Sequence, residues 1–228
     1  MDKKIIIVMP AYNAELTLEK TYRDIPKGLV SEIMLCDDQS KDRTVEIARR
    51  LGLTVLLHDK NKGYGGNQKT LYKEALKRNP DIIVMLHPDY QYDSKKIPDL
   101  VQPILNNQAD IVLGSRMLGK GALEGGMPVY KYISNKFLTF CQNKALRLNL
   151  SEYHTGLRAY SSDFLKKVSW QDNSNDFLFD AQILIKAANL GLRIAEIPIE
   201  TRYFKEASQV SFFAGVKYGI GILWELIK

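Results

Sequence analysis

Met85-Leu-His-Pro-Asp-Tyr-Gln-Tyr-Asp93 is a short acidic cluster whose groups could bind a cation. It follows an apolar run at residues 82–86, which reads as a buried parallel strand. Asp89 then stands at the carboxyl edge of that strand, where open α/β sheets place their ligands. Its carboxylate, with Gln91 beyond it and His87 before it, can hold a divalent cation against a diphosphate. Mg²⁺ takes few protein oxygens and completes its shell with substrate phosphates, so one or two protein ligands suffice. The competing reading is a polar turn that caps the next helix near Ile97.

Polar loops follow the other apolar runs in the same way. The first run ends in Pro10-Ala-Tyr-Asn13 and the second in Asp37-Asp-Gln-Ser-Lys-Asp42. Tyr12 offers a flat face for a nucleobase, and Asp37 and Asp38 offer acceptors for base N–H or ribose hydroxyl groups. The alternative makes Ser40 or Asp42 a helix N-cap and the paired acids a solvated turn. No glycine fingerprint follows the first strand, which disfavours hydride chemistry with a dinucleotide. Asn61-Lys-Gly-Tyr-Gly-Gly-Asn67 opens a helix whose N-terminus favours anions. Gly114-Ser-Arg-Met-Leu-Gly-Lys-Gly121 nearly spells a P-loop, but Gly121 stands where Ser or Thr is required. Arg116 can still reach a diphosphate. Downstream, His154-Thr-Gly-Leu-Arg158 precedes Asn175-Asp-Phe-Leu-Phe-Asp180, where Asp176 and Asp180 share a face if both are helical. Glu200-Thr-Arg-Tyr-Phe-Lys205 sets two cations close enough for a phosphate, with a solvated basic turn as the alternative.

Strands that all end on one edge would gather these loops. Periodicity predicts strands at residues 5–9, 33–36, 54–57, 82–86 and 111–113. Helices alternate with them at 15–23, 42–51, 67–78 and 97–105. That alternation implies a doubly wound α/β sheet with right-handed crossovers. Past Gly114 the rhythm changes: 114–126 reads as loop, 129–148 and 179–190 as helices, 157–160 and 194–199 as strands.

A chain of 228 residues with 45% hydrophobic and 25% charged content fits a single globular domain. The formal net charge of +6 suits phosphate-bearing ligands or an anionic membrane surface. No basic run with interleaved aromatics is present, so nucleic-acid binding is not expected. Cys36 and Cys141 lack metal-ligand spacing and read as reduced thiols, which favours a cytosolic compartment. The N-terminus runs into a strand with no signal-peptide core. Nothing reaches the ~20 apolar residues of a membrane span. Residues 210–227 come nearest, interrupted by Ser211, Lys217 and Glu225.

Taken in order, Pro10-Ala-Tyr-Asn, Asp37-Asp-Gln-Ser-Lys-Asp, Asn61-Lys-Gly, Pro88-Asp-Tyr-Gln, Gly114-Ser-Arg, Thr155-Gly-Leu-Arg-Ala-Tyr, Asn175-Asp-Phe-Leu-Phe-Asp and Ile197-Pro-Ile form an ordered set. This set resembles family-2 glycosyltransferases of the GT-A fold, especially the branch that looks like dolichyl-phosphate mannose synthase. The resemblance runs from Ile5 to about Phe213. It implies an α/β fold of GT-A type, with a mostly parallel sheet flanked by helices in one domain over 1–228. Within it, 1–115 would bind the nucleotide-sugar, 116–210 the acceptor, and 211–228 would form an apolar C-terminal helix.

The implied activity is inverting transfer of a sugar from a nucleotide diphosphate, with Mg²⁺ or Mn²⁺. Pro10, Tyr12, Asn13, Asp37, Asp38, Lys62, Gly63 and Arg116 map to the nucleotide-sugar site. Asp89 matches the second acid of the family's DxD motif, and Gln91 also matches a family position. His87 replaces the first acid; neutral imidazole ligates Mn²⁺ but suits hard Mg²⁺ poorly. The expected acceptor is a polyprenyl phosphate held by Arg158, Arg202 and Lys205, with Asp89, Asp180 and Arg202 carrying catalysis. A glycan hydroxyl is the alternative acceptor and would need a general base, for which Asp180 is the candidate. The apolar C-terminal segment suits peripheral contact with the inner face of a membrane. Two further readings are a sugar-1-phosphate nucleotidyltransferase and a silent nucleotide-sugar-binding module. The first lacks its Gly- and Arg-rich loop here; the second is suggested by His87.

Overall fold

The N-terminal apolar run is the middle of the sheet. In the computed structural model, which describes residues 3–119, 121–204 and 212–228, this first strand is buried at every position. The strands are β1 (Ile5–Ala11), β2 (Glu32–Asp37), β3 (Thr54–Leu57), β4 (Ile82–Met85), β5 (Ile111–Ser115), β6 (Arg158–Ser161) and β7 (Ile194–Pro198). They form one seven-stranded sheet in the order β3-β2-β1-β4-β6-β5-β7. The arrangement is a GT-A fold: mostly parallel, with β6 alone antiparallel to its neighbours β4 and β5. Reversing β6 brings its entry segment, Thr155 and Gly156, to the edge where β4 delivers His87 and Asp89.

A proline inside a central strand removes a ladder donor and is normally excluded. Pro10 is tolerated because of where β4 stops. The Val8 carbonyl accepts from Leu86 N–H on the β4 side, and Pro10, two residues on, faces the same way. The β1–β4 ladder ends at Val8 and Met85, so Pro10 faces past its end.

The helices are α1 (Leu18–Arg23), α2 (Thr44–Arg50), α3 (Gly63–Leu76), α4 (Ile97–Leu105), α5 (Gly121–Glu124), α6 (Val129–Leu146), α7 (Ser162–Lys167), α8 (Phe179–Asn189) and α9 (Phe212–Leu226). Alternate residues of β1 face opposite layers. Ile5, Ile7 and Met9 pack with Leu18, Ile47 and Leu100 of α1, α2 and α4. Ile6 and Val8 pack with Leu71, Phe164 and Ile183 of α3, α7 and α8.

Three helices depart from expectation. α3 begins at Gly63 rather than Asn67, although glycine is a poor helix former. The reason is tertiary: a Cβ on Gly65 would lie 2.4 Å from the Ser174 carbonyl oxygen. Gly65 N–H also donates to the Asn175 carbonyl at 2.8 Å. The glycines thus seat the helix against the 174–175 loop. α5 and α7 are too short for a periodic signal; Ser161 Oγ caps α7 by accepting from Phe164 N–H at 3.1 Å.

α6 is inside out. It buries Asn135, Thr139 and Gln142 and exposes Val129, Ile133, Phe137 and Phe140, the reverse of a helix facing water. Beside it, α9 and the residue that follows expose Phe213, Val216, Ile220, Trp224 and Ile227. No helix among the described residues is long and apolar enough to cross a membrane.

Candidate active site

A cavity of about 320 Å³ opens where β4 and β5 end and β6 begins. The β4 loop contributes His87, Asp89 and Gln91; Arg116 follows β5, His154 to Gly156 precede β6, and Asp180 comes from α8. α3 adds Tyr64, α6 adds Lys131 and Leu138, and α9 adds Val216 and Tyr218. Five of the residues expected to act are therefore gathered: His87, Asp89, Gln91, Arg116 and Asp180. Pro10, Tyr12, Asn13, Asp37, Asp38, Lys62, Gly63, Arg158 and Arg202 do not line this cavity.

The loop after β4 is stiff. Asp89 Oδ1 accepts from Gln91 N–H at 3.0 Å, across Tyr90 at φ 59°. Both Asp89 and Gln91 are more than nine-tenths buried. Arg202 braces the loop from outside the cavity: its N–H donates to the Gln91 carbonyl at 2.9 Å, and its guanidinium stacks 4.5 Å from the Tyr90 ring centre. The same guanidinium lies 3.7 Å from Asp93. Its buried Nη1 has no hydrogen-bond partner among the described residues. Lys205 lies outside the described residues. Among the described residues no cluster of three His, Cys, Asp or Glu side chains could hold a metal ion. One carboxylate and one amide on a buried loop fit a cation that completes its shell with phosphate oxygens.

Asp180 is heavily engaged. Tyr64 donates to its Oδ2 at 2.8 Å, Gln68 to its Oδ1 at 3.0 Å, and the Arg158 guanidinium lies 3.5 Å away. The Tyr64 hydroxyl also sits 3.1 Å from His87 Nε2. Burial, then the Asp180 charge, push the Tyr64 hydroxyl well above its ordinary range, so it remains a donor. Arg158 is wholly buried, with Nε, Nη1 and Nη2 donating to the carbonyls of Thr155, Asp180 and Tyr153 at 2.8, 3.1 and 3.0 Å. It holds the start of α8 and is sealed from solvent, which corrects the expectation that it holds the acceptor phosphate.

Arg116 is one cation on the cavity wall. Its Nε donates to Glu152 Oε1 at 2.9 Å, and Nη2 reaches the same carboxylate and the His154 carbonyl. Burial pushes the Glu152 carboxyl up, but Arg116 outweighs it and holds the group below its ordinary value. Asn135 of α6 completes the clamp, donating to Glu152 at 2.8 Å. Lys131 lies near enough to Arg116 that burial first, and the guanidinium second, lower its amine. Two cations thus share one cavity. Sequence reasoning missed Lys131, Tyr64 and Glu152. Tyr64 sat inside the glycine segment and Glu152 beside the His154 motif, while nothing marked Lys131 among so many lysines.

His154 also lines the cavity, its Nδ1 3.0 Å from the Tyr218 hydroxyl. Burial lowers its pKa to about 4, with Glu152 opposing and Arg116 and Arg158 assisting. The unfolded chain therefore takes up this proton first. The stability contributed by this neutral imidazole is full above about pH 6.5 and lost as pH falls toward 4. The loss should be on the order of 2–3 kcal/mol. His154→Gln should flatten that slope in urea melts taken between the two limits; an unchanged slope would assign it to other groups.

On the other side of β1, the nucleotide-site candidates knit two loops together. Asn13 N–H donates to Ser40 Oγ at 2.8 Å, and Asn13 Oδ1 accepts from Lys41 N–H at 2.9 Å. Tyr12 is exposed and Pro10 buried. Asp37 accepts from Ser40 N–H at 2.9 Å through Oδ2, while its buried Oδ1 has no partner. Asp38 is consumed: His58 Nδ1 lies 2.7 Å from its Oδ1, and the N–H groups of Lys62 and Gly63 donate to its two oxygens at 2.8 and 2.9 Å. The anion at the start of α3 is thus the protein's own carboxylate. The backbone N–H groups of Lys62 and Gly63, expected at the nucleotide-sugar, are taken by Asp38.

Known proteins resemble this chain in sequence and in fold. The chain is 34% identical over 98% of its length to an uncharacterised protein of Methanocaldococcus jannaschii, of which it covers 91%. It is 30% identical to the UDP-N-acetylglucosamine–dolichyl-phosphate N-acetylglucosaminyltransferase of Methanococcus voltae, covering 89% of this chain and 87% of that one. The fold superposes with TM-score 0.76 on a Mycobacterium tuberculosis glucosyl-3-phosphoglycerate synthase crystallised with Mn²⁺, UDP-glucose and phosphoglyceric acid. That match is 21% identical and covers 99% of this chain and 79% of the other. The model of glycosyl transferase family 2 matches residues 6–169, which hold β2 to β6, all of β1 but Ile5, and the Asp89 loop. With sheet order, cavity and motif sequence in accord, the chain belongs to glycosyl transferase family 2.

Proposed function

We propose that the protein moves a sugar from a nucleotide diphosphate sugar to a polyprenyl phosphate. The observation that carries this reading is the mixed lining of the cavity. Asp89, Gln91, Arg116 and Lys131 supply its polar part; Met127, Leu138, Val216 and Tyr218 supply its apolar part. Leu138 and Val216 belong to α6 and α9, the helices with exposed apolar faces. A ligand with an anionic head and a long apolar tail suits both. The Methanococcus relative is named for a dolichyl phosphate acceptor and a UDP-sugar donor.

The reaction needs one displacement. An acceptor phosphate oxygen forms a bond to the anomeric carbon as the bond from that carbon to the diphosphate breaks, inverting the centre. No protein carboxylate forms a glycosyl intermediate. Arg116, fixed by Glu152, and Lys131 orient the acceptor phosphate through charge-assisted hydrogen bonds. A phosphate monoester has its second pKa near ~6, so its dianion needs no base. Asp180 accepts from Tyr64 and Gln68, which favours this acceptor over a hydroxyl that must lose a proton. Asp89 and Gln91 would hold Mg²⁺ or Mn²⁺, which when bound supplies positive charge to the leaving diphosphate. Tyr12 and Asp37 remain the candidates for the base. The outer faces of α6 and α9, with Lys136 and Lys217 beside them, would lie on the cytoplasmic surface of an anionic membrane.

The test offers UDP-, GDP- and dTDP-sugars with Mn²⁺ to vesicles holding undecaprenyl phosphate, and separately to a soluble oligosaccharide. Lipid-linked sugar is the expected product. Lys131→Ala should raise KM for the lipid phosphate roughly ten- to a hundredfold, since a charge-assisted bond contributes ~1.5–3 kcal/mol, with donor KM unchanged. Transfer to the oligosaccharide alone would refute the lipid-phosphate reading.

A further inference from the structure

We propose that His87 is a nitrogen ligand for the divalent cation, presented through Nδ1, and that Tyr64 and Asp180 lock it in that form. The inference rests on the metal-dependent reading above and adds a ligand and a metal preference to it.

Counting hydrogens assigns the tautomer. The Tyr64 hydroxyl has one hydrogen, which goes to the Asp180 carboxylate at 2.8 Å. Its oxygen also lies 3.1 Å from His87 Nε2. With its hydrogen committed, that oxygen can only accept, so Nε2 is the donor and Nδ1 is the ring nitrogen left to a metal.

Packing gives the direction. A Cβ built on Gly156 would lie 2.6 Å from His87 Cδ2 and 2.7 Å from Nε2, so this edge of the ring is pressed on backbone. Tyr64 stacks on the ring at 8° with centres 5.4 Å apart. Nδ1 lies across the ring from the Gly156 contact. It has no hydrogen-bond partner among the described residues and is not among their sealed polar atoms. His87, Asp89 and Gln91 line the same cavity from one loop.

Metal-bound histidines almost always donate their other ring N–H to a carboxylate, carbonyl or water, which fixes the ring and strengthens it as a ligand. Here Tyr64 relays that function from Asp180. Imidazole is a softer donor than a carboxylate and favours transition ions over Mg²⁺. Imidazole, carboxylate and amide together make a site that prefers Mn²⁺, where two carboxylates would serve Mg²⁺ well.

Pulsed EPR of Mn²⁺ added with UDP tests this without turnover. The wild-type spectrum should show hyperfine coupling to a histidine nitrogen, and His87→Gln and His87→Asp should abolish it. The chain has 3 histidines; the others are engaged with Asp38 and Tyr218. Tyr64→Phe should keep the coupling but weaken Mn²⁺ binding about tenfold, the usual size of an outer-shell loss. His87→Asp should narrow the Mn²⁺ over Mg²⁺ affinity ratio about tenfold. The wild-type spectrum decides even if a variant fails to fold. Bound Mn²⁺ without nitrogen coupling overturns the proposal and leaves the metal-dependent reading standing. Failure of Mn²⁺ to bind beside UDP overturns both.

Discussion

Asp89→Asn should lower kcat/KM for transfer by roughly 10²–10³-fold, the usual loss when one fixed electrostatic contact to a developing charge is removed. The fold should survive, because the asparagine oxygen can still accept the Gln91 N–H that Asp89 Oδ1 now takes at 3.0 Å. What disappears is the acid on the β4 loop that would hold the cation. Initial rates at saturating Mn²⁺, read beside a thermal melt, separate chemistry from stability. Near-normal rates in that variant would remove Asp89 from the metal site.

Arg158→Met should be the most destabilising single change near the site, by about 3–5 kcal/mol, because it leaves a buried charge without its partner. Arg158 is fully buried against three backbone carbonyls and lies 3.5 Å from the Asp180 carboxylate. For a chain of this size the melting temperature should fall by roughly 10 °C. Adding Asp180→Leu should recover part of the loss, since an apolar pair can replace a buried ion pair. Urea titration of the single and double variants checks both statements. Wild-type stability in Arg158→Met, with a raised acceptor KM, would return Arg158 to the phosphate.

The elements of the N-terminal half were legible because each is a short apolar run closed by a polar loop. The entry of β6 between β4 and β5 was not, since residues 157–160 announce a strand but neither its direction nor its neighbours. The early start of α3 was hidden for a related reason. Gly63, Gly65 and Gly66 read as loop, and only the approach of Ser174 and Asn175 explains them. In the site, Asp89, Asp180 and Arg116 stood out by residue type and position. Arg158 and Asp38 stood out equally, yet both are spent inside the protein, and a sequence does not state which charges are already paired. The packing of Arg202 on Tyr90 and Gln91 joins two loops far apart in sequence, which no local pattern announces. Lys131 could be found only once the cavity existed.

The place of β5 in the sheet bears on how the chain must be made. Its two partners are β6 and β7, both encoded later than itself. While the ribosome is still short of residue 158, the strand that carries Arg116 to the cavity has nothing to hydrogen-bond to. β1 to β4 can zip together early, since each pairs with a strand already made or soon to follow. The apolar strand β5 has to wait through α5 and α6, and waiting strands are where nascent chains stick to one another. Closing the sheet from β4 to β5 is therefore a late, long-range event, slowed by the loop that must be ordered first. A fragment ending at residue 115 would carry a strand with no neighbour, so the donor-side loops can form before the cavity wall that β5 and β6 complete.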